Sequence, residues 1–360
     1  MSIIKKAASA IITAVLLTGC EASVYDYNVS SDSETDNHIN DEQLYSDIVK
    51  ELEAGSSSFS FEGAIGFTDI KKAHKKIEQK YPEFFWIDSF VTVEENNSIT
   101  CEFDSLSDYS SEELLAMLGE LESAADKIIA GMPDGLDDFG KVIYIHDYIA
   151  ENTVYDEFNA DNDISGLWDT SYGCLVQGKA ICGGYAEGFS YMMKCLGIES
   201  GVVTGDVTDE NGEISGHAWN YINLNGRYYW LDVTWDDTDD KNNPFTHMYC
   251  IIDDARMNKN RILDENQYFI PLCYSMEENY YVRNNSYITI YTKEAVGEAI
   301  TSSPDSDSTE MMFADKSAYE AAVNGLLENG ELWELTDYAE ISDTVNYMKN
   351  DDMYVLSIQY

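Results

Sequence analysis

Basic residues are scarce in this sequence: 21 Lys+Arg stand against 67 Asp+Glu, a formal net charge of −46. That imbalance repels nucleic acid and anionic lipid surfaces, so polyanionic partners are excluded, and it keeps a folded body soluble. Beyond the first twenty residues there is no uninterrupted apolar run long enough to cross a bilayer. The seven cysteines, Cys20, Cys101, Cys174, Cys182, Cys195, Cys250 and Cys273, lack the paired C-x-x-C spacing of zinc sites and are too sparse for a disulfide scaffold. No internal repeat is evident, and no residue pattern calls for a cofactor. What is present, in 360 residues that are 44% hydrophobic and 12% aromatic, suffices for a real core in one large or two modest domains.

The opening "MSIIKKAASAIITAVLLTGC" places Lys5 and Lys6 before a short apolar run and ends Leu17-Thr18-Gly19-Cys20. It reads as an export signal rather than a permanent span. Its end resembles the lipobox of bacterial lipoproteins, which implies cleavage after residue 19 and lipid attachment at Cys20. The expected location is therefore the extracytoplasmic face of the cell membrane, with membrane contact only through Cys20. A plain secretory signal is the alternative.

Residues 20–41 are polar and without period, which suits a flexible linker. From 42 to 104 the pattern predicts an N-terminal α/β region: helix, strand, helix, strand, strand. Its second helix carries Lys71, Lys72, Lys75, Lys76 and Lys80, read as an exposed face, and His74, like His38 in the linker, is read as a surface residue. The main unit is expected at 105–275. Ser110 and Glu113 form a capping-box signature ahead of one helix, and "LDDFGKVIYIHDYIAEN" forms a second, with Val142, Ile145 and Ile149 at helical spacing. Its His146 reads as a packing or hydrogen-bonding residue. An acidic loop is expected near 153–173. Residues 276–360 form a C-terminal α/β appendage without a catalytic motif.

In "GKAICGGYAEGF", Cys182 lies at or just before the first turn of a helix whose Tyr185, Phe189, Met192 and Leu196 make one apolar stripe, closed by Gly197. Downstream, Asn225-Gly226 is a strong two-residue hairpin signal between "GHAWNYINL" and "RYYWLDVTW". With that loop, facing residue numbers sum to 451, so His217 and Asp232 fall on one face as diagonal neighbours, about 7–8 Å apart at the backbone. A carboxylate there can orient an imidazole, and an imidazole near a helix mouth can activate a thiol. Each piece alone reads more simply as structure: a buried inert thiol, a core histidine, an aspartate closing a strand. The three together are much harder to reach by accident.

At these residues the chain resembles the transglutaminase-like superfamily, through "VIYIHDYIAENTVYD", "GKAICGGYAEGFSYMMKCLGI" and "GHAWNYINLNGRYYWLDVTWDD", roughly residues 136–240. The resemblance implies an α+β, papain-like fold whose nucleophile sits at a helix N-terminus packed on an antiparallel sheet, with α/β flanking regions. It implies Cys182 as nucleophile, His217 as general base and acid, and Asp232 as orienting carboxylate. Gly183 and Gly184 leave the sulfur uncrowded, and the Gly183 backbone N–H is a candidate oxyanion donor. So is Gln177, by analogy with a glutamine of papain-like enzymes, although its spacing differs by one. Trp219 and Trp230 share the triad face as candidate walls of a substrate cleft, with core packing the plainer reading. His247 is a candidate neighbour of the site. The run "DDTDD" at 236–240 lacks the glycine and glutamate of an EF-hand and reads as a solvated loop, with weak ion binding as the alternative; no metal site is expected. The implied activity is attack on a peptide or protein amide through a thioester, with hydrolysis favoured over crosslinking. A non-catalytic, wall-associated binding or scaffolding module is the alternative.

Overall fold

The computed structural model describes residues 11–15 and, from 41 onward, all but 57, 63–66, 96–97, 106–108, 163–165, 210–211, 241–242 and 306. The expected lipidation site Cys20 and the linker with His38 lie outside the described residues. Residues 11–15, within the expected export signal, form an edge strand, Ile11–Val15, antiparallel to residues 90–94. The N-terminal region follows the predicted order: helix Asp41–Glu53, strand Ser58–Glu62, helix Phe67–Lys80 and the hairpin strands Ile87–Glu95 and Ser98–Ser105.

Two expectations for the lysine helix fail. His74 is 2% exposed, not a surface residue. The lysines do not simply face water: Lys80 lies over the Tyr221 ring at 4.8 Å and reaches Glu199 at 3.4 Å, while Lys76 covers Tyr45 at 3.6 Å. Their aliphatic stems cover aromatic surface while the charged heads find carboxylates and ring faces. The helix thereby joins the N-terminal region to the strand Ser200–Thr208.

The next two helices begin at side-chain caps. Ser110 and Glu113 form the predicted reciprocal box on Ser111–Ala130, and Asp137 accepts from Gly140 N at 2.8 Å at the start of Asp138–Asn152. Such caps satisfy backbone donors that the helix itself cannot, each contributing about 1 kcal/mol. The second helix buries Val142, Ile145, His146, Ile149 and Ala150, the stripe that the spacing predicts.

The central sheet is antiparallel, in the order Arg261–Leu263, Ser200–Thr208, Ile214–Leu224, Arg227–Leu231. Asn225 (φ 54°) and Gly226 (φ 77°) both take the left-handed conformation of a type I′ turn. Leu224 faces Arg227 and Asn220 faces Leu231, the predicted register. The strand then stops at Leu231 rather than running through Trp235. Asp232 leaves the ladder, its side chain accepting from Trp235 N at 3.2 Å, and starts the one-turn helix Val233–Asp236. Aspartate favours a helix start over a strand interior, which is why the ladder ends there.

On this sheet lies the helix Cys182–Cys195, with Tyr185, Phe189 and Met192 fully buried and Asn220 Nδ2 bonded to Ala186 O at 2.8 Å. Gly197, at φ 72°, ends it as expected. The segment expected as an acidic loop holds regular structure instead: the strand Val154–Tyr155 parallel to Lys179–Ala180, the helix Glu157–Asp161, a 3-10 turn Leu167–Asp169 and a π-helical stretch Gly173–Gln177. Beyond it, a C-terminal sheet orders Tyr287–Ile288, Ser308–Phe313, Val355–Gln359 and Asn346–Asn350, backed by the helices Lys293–Ser302 and Lys316–Ala322. Among the described residues no helix is long and apolar enough to cross a membrane.

Candidate active site

Cys182 is the first residue of its helix, and its thiol is free and half-buried. The backbone N–H groups of the first turn have no intrahelical partner and favour negative charge at the mouth. Two neighbours hold this mouth in place: Ile181 N donates to Trp168 O at 2.8 Å, and the strand residue Tyr155 pairs with Ala180.

His217 comes to the mouth from the central sheet. Its ring, 6% exposed, hydrogen-bonds through Nε2 to Asp232 Oδ2 at 2.8 Å. A carboxylate only accepts, so Nε2 carries the proton and Nδ1 is the nitrogen left for the sulfur. Burial alone would lower the imidazole pKa. The Asp232 charge and hydrogen bond overcome that, the proximity of Cys182 acts in the same direction, and the result is raised to about 9. Asp232 shows the converse: burial pushes its carboxyl up, but the charges and hydrogen bonds of His217 and Arg261 outweigh it and hold it at about 2. The pair therefore stays ionised through neutral pH.

Arg261 is the residue that sequence reasoning missed. It comes from the short strand Arg261–Leu263, is 3% exposed, and donates from NH2 to the oxygen that His217 uses, Asp232 Oδ2. Its guanidinium lies over the rings of Tyr249 at 4.2 Å and Trp235 at 4.3 Å. Asp232 is thus filled: Oδ2 serves His217 and Arg261, and Oδ1 caps the helix Val233–Asp236. Nearby, burial pushes the Tyr155 phenol well up, and its ring lies 6.2 Å from that of Tyr185.

The glycines after Cys182 do not leave open space. A Cβ at Gly183 would stand 1.9 Å from Asp169 Oδ1, and one at Gly184 would stand 2.5 Å from Trp168 O. They let the 167–170 turn pack directly onto the helix start, so an oxyanion at the Gly183 N–H would share the mouth with the Asp169 carboxylate. Gln177 is exposed at the end of its π-helical stretch and, among the described residues, makes no hydrogen bond with the triad. Trp219 and Trp230, each 1% exposed, are core residues; Trp230 Nε1 donates to Asp254 Oδ1 at 2.7 Å. They cannot wall an open cleft, because strand parity assigns a face but not a depth.

The acidic run also departs from expectation. Asp236 is fully buried, accepting from His146 Nε2 at 3.1 Å and Thr246 Oγ1 at 2.9 Å, and Asp237 accepts from Tyr185 OH at 2.7 Å. His146 is the buried hydrogen-bonding residue that was expected. His247 bonds to Asp147 and Glu310 rather than to a triad residue.

Comparison with known proteins gives a family match over one segment. No curated protein matches the chain. Among solved structures, one described as a TGase is 13% identical with a TM-score of 0.31, covering 51% of this chain and 52% of that one. A provisionally described cysteine protease from Cytophaga hutchinsonii is 12% identical with a TM-score of 0.28, covering 48% of this chain and 59% of that one. The chain thus spans between half and three-fifths of their lengths, and likenesses this partial fix neither activity nor substrate. The family model described as the transglutaminase-like superfamily matches residues 122–234, which contain Cys182, His217 and Asp232, and this segment is a transglutaminase-like domain.

Proposed function

We propose that this protein is a thiol enzyme acting on peptide or protein amides, held outside the cytoplasmic membrane by lipid at Cys20. What supports the reading is a free thiol at the mouth of a helix packed on the strand that carries a buried imidazole, itself held 2.8 Å from a carboxylate. The Cys182 proton passes to His217 ahead of attack, and the thiolate Sγ then attacks the amide carbonyl beside the imidazolium. His217 then protonates the leaving amine as the C–N bond breaks, which leaves a thioester on Cys182. In the second half a water adds to the thioester, His217 takes its proton, and the acid leaves as the sulfur is restored. Asp232 keeps the ring in the required tautomer and stabilises its positive form. Arg261 is a positioning residue, acting through Asp232. The first-turn N–H groups are the candidate stabilisers of the tetrahedral oxyanion.

Water is the favoured acceptor; an amine acceptor would give crosslinking by the same first half-reaction. Incubating a glutaminyl peptide with and without a primary amine, and following ammonia release and amine incorporation by mass spectrometry, separates the two. Ammonia release that continues when amine is present supports hydrolysis, and dominant incorporation at modest amine concentration refutes it. Labelling by a thiol-reactive amide probe should vanish in Cys182→Ala. No labelling of the wild type would favour a non-catalytic binding module. The anchor is tested separately: metabolic incorporation of a fatty-acid analogue should be lost in Cys20→Ala.

A further inference from the structure

Away from the thiol, two histidines converge on one carboxylate oxygen. His146 Nδ1 lies 2.8 Å from Asp147 Oδ1, and His247 Nε2, from the turn after the strand Asn243–Phe245, lies 3.0 Å from the same atom. These three groups offer donor atoms all within 4.8 Å of one another. The far nitrogen of each ring is held by a carboxylate of its own: His146 Nε2 by Asp236 Oδ2 at 3.1 Å, His247 Nδ1 by Glu310 Oε2 at 3.0 Å. The outer carboxylates are anchored in turn, Asp236 by Thr246 Oγ1 and Tyr249 N, Glu310 by Tyr281 OH at 3.0 Å. Tyr280 stacks on the His247 ring at 3.6 Å and 2°.

A simple chain of structural hydrogen bonds needs only some of this. Two nitrogens and one oxygen facing a common point, with each ring oriented from behind by a carboxylate, is the outer-sphere arrangement that metal-bound histidines use. The charge balance points the same way. Among the described residues no lysine or arginine bonds Asp147, Asp236 or Glu310, so only the two rings or a bound cation can neutralise three largely buried carboxylates. The Asp147 side chain, 31% exposed, leaves an approach from solvent.

We propose that His146 Nδ1, Asp147 and His247 Nε2 bind one divalent late transition-metal ion of the zinc class, with Asp236 and Glu310 orienting the ligand rings. Imidazole donors favour such ions over calcium and magnesium, which take oxygen ligands. The ion takes the place of the protons on the two facing nitrogens, so a double charge enters without changing the net charge of the cluster. It would tie the helix Asp138–Asn152 to the 246–249 turn and, through Glu310, to the C-terminal sheet.

The test is Co2+ titration of the full chain after chelator treatment, read by visible absorption. The expected result is one equivalent bound, without a thiolate charge-transfer band, displaced by Zn2+ and unchanged in Cys182→Ala. Asp147→Asn and His247→Gln should abolish binding, with circular dichroism verifying their fold, and Glu310→Gln should weaken it about 10- to 100-fold. Should His247→Gln fail to fold, the partly open Asp147→Asn decides. The proposal is overturned if the wild type takes up neither Co2+ nor Zn2+, if uptake is unchanged in Asp147→Asn, or if a thiolate band appears.

Discussion

The thiol cluster and the His146–His247 cluster are built from the same parts and differ in what the second ring nitrogen faces. His217 has one carboxylate, whose remaining valence is taken by Arg261, and its other nitrogen has no carboxylate partner among the described residues. His146 and His247 are each held between two carboxylates, with every ring nitrogen occupied. A ring bonded on both sides is a fixed strut or ligand; one bonded on a single side can exchange a proton with a neighbour. Under the thiol-enzyme reading, reactivity lies in the nitrogen left uncommitted, not in the residue type or in its burial.

The sharpest test of that contrast is the same substitution in both places. Under the thiol-enzyme reading, His217→Gln should lower amide turnover about 10³-fold or more while the fold survives. His146→Gln should do the reverse: thermal unfolding should fall markedly, by about 3–5 kcal/mol for a broken buried pair, with kcat changed far less. Comparable activity losses in the two variants would erase the distinction. Next in size, Arg261→Met removes the cation that holds Asp232. It should cost about 3 kcal/mol in chemical denaturation, lower kcat with little change in KM, and shift the pH profile as the Asp232 carboxyl rises.

The pH response sharpens the comparison further. Asp232 is depressed, so its contribution is present above the ordinary 3.8 and is lost as pH falls through about 2. His217 is raised, so its contribution is complete below the ordinary 6.5 and is lost as pH rises through about 9. The difference in melting temperature between wild type and His217→Gln should therefore be widest near pH 4–6.5 and close toward both limits. A gap that keeps widening above pH 9 would contradict the assigned pair. The smallest effect is expected at the helix mouth. Asp169→Asn removes a negative charge beside Gly183 and should speed alkylation of Cys182 by roughly two- to tenfold.

Much of this was readable in the chain because it rests on local rules. Asn225-Gly226 set a register that carried from Leu224 to Asn220, and the capping box and the apolar stripe of the helix Cys182–Cys195 came from spacing alone. The shortfalls have two physical sources. Parity tells which side a residue faces but not what covers it, so it leaves Trp219 and Trp230 as candidate cleft walls beside the plainer core reading, and the core reading holds: they share an apolar cluster with Met312, Met353 and Val355. Long-range partners leave little local trace. Arg261 and His247 reach their carboxylates across 29 and 100 residues, and only an arginine between Asn260 and an apolar pair in a strongly acidic chain hinted at the first. Asp232 was placed on the right face for an incomplete reason. Its preference for starting a helix ended the strand at the point where its side chain was needed.

The single turn Val233–Asp236 has a mechanical consequence. Asp232 grips His217 at one end and Asp236 grips His146 at the other, with about one helical pitch, roughly 5.4 Å, between them. A spacer that short has no slack. Were the proposed ion bound beside His146, this one turn would be the covalent link through which it bears on the aim of the imidazole at the near end.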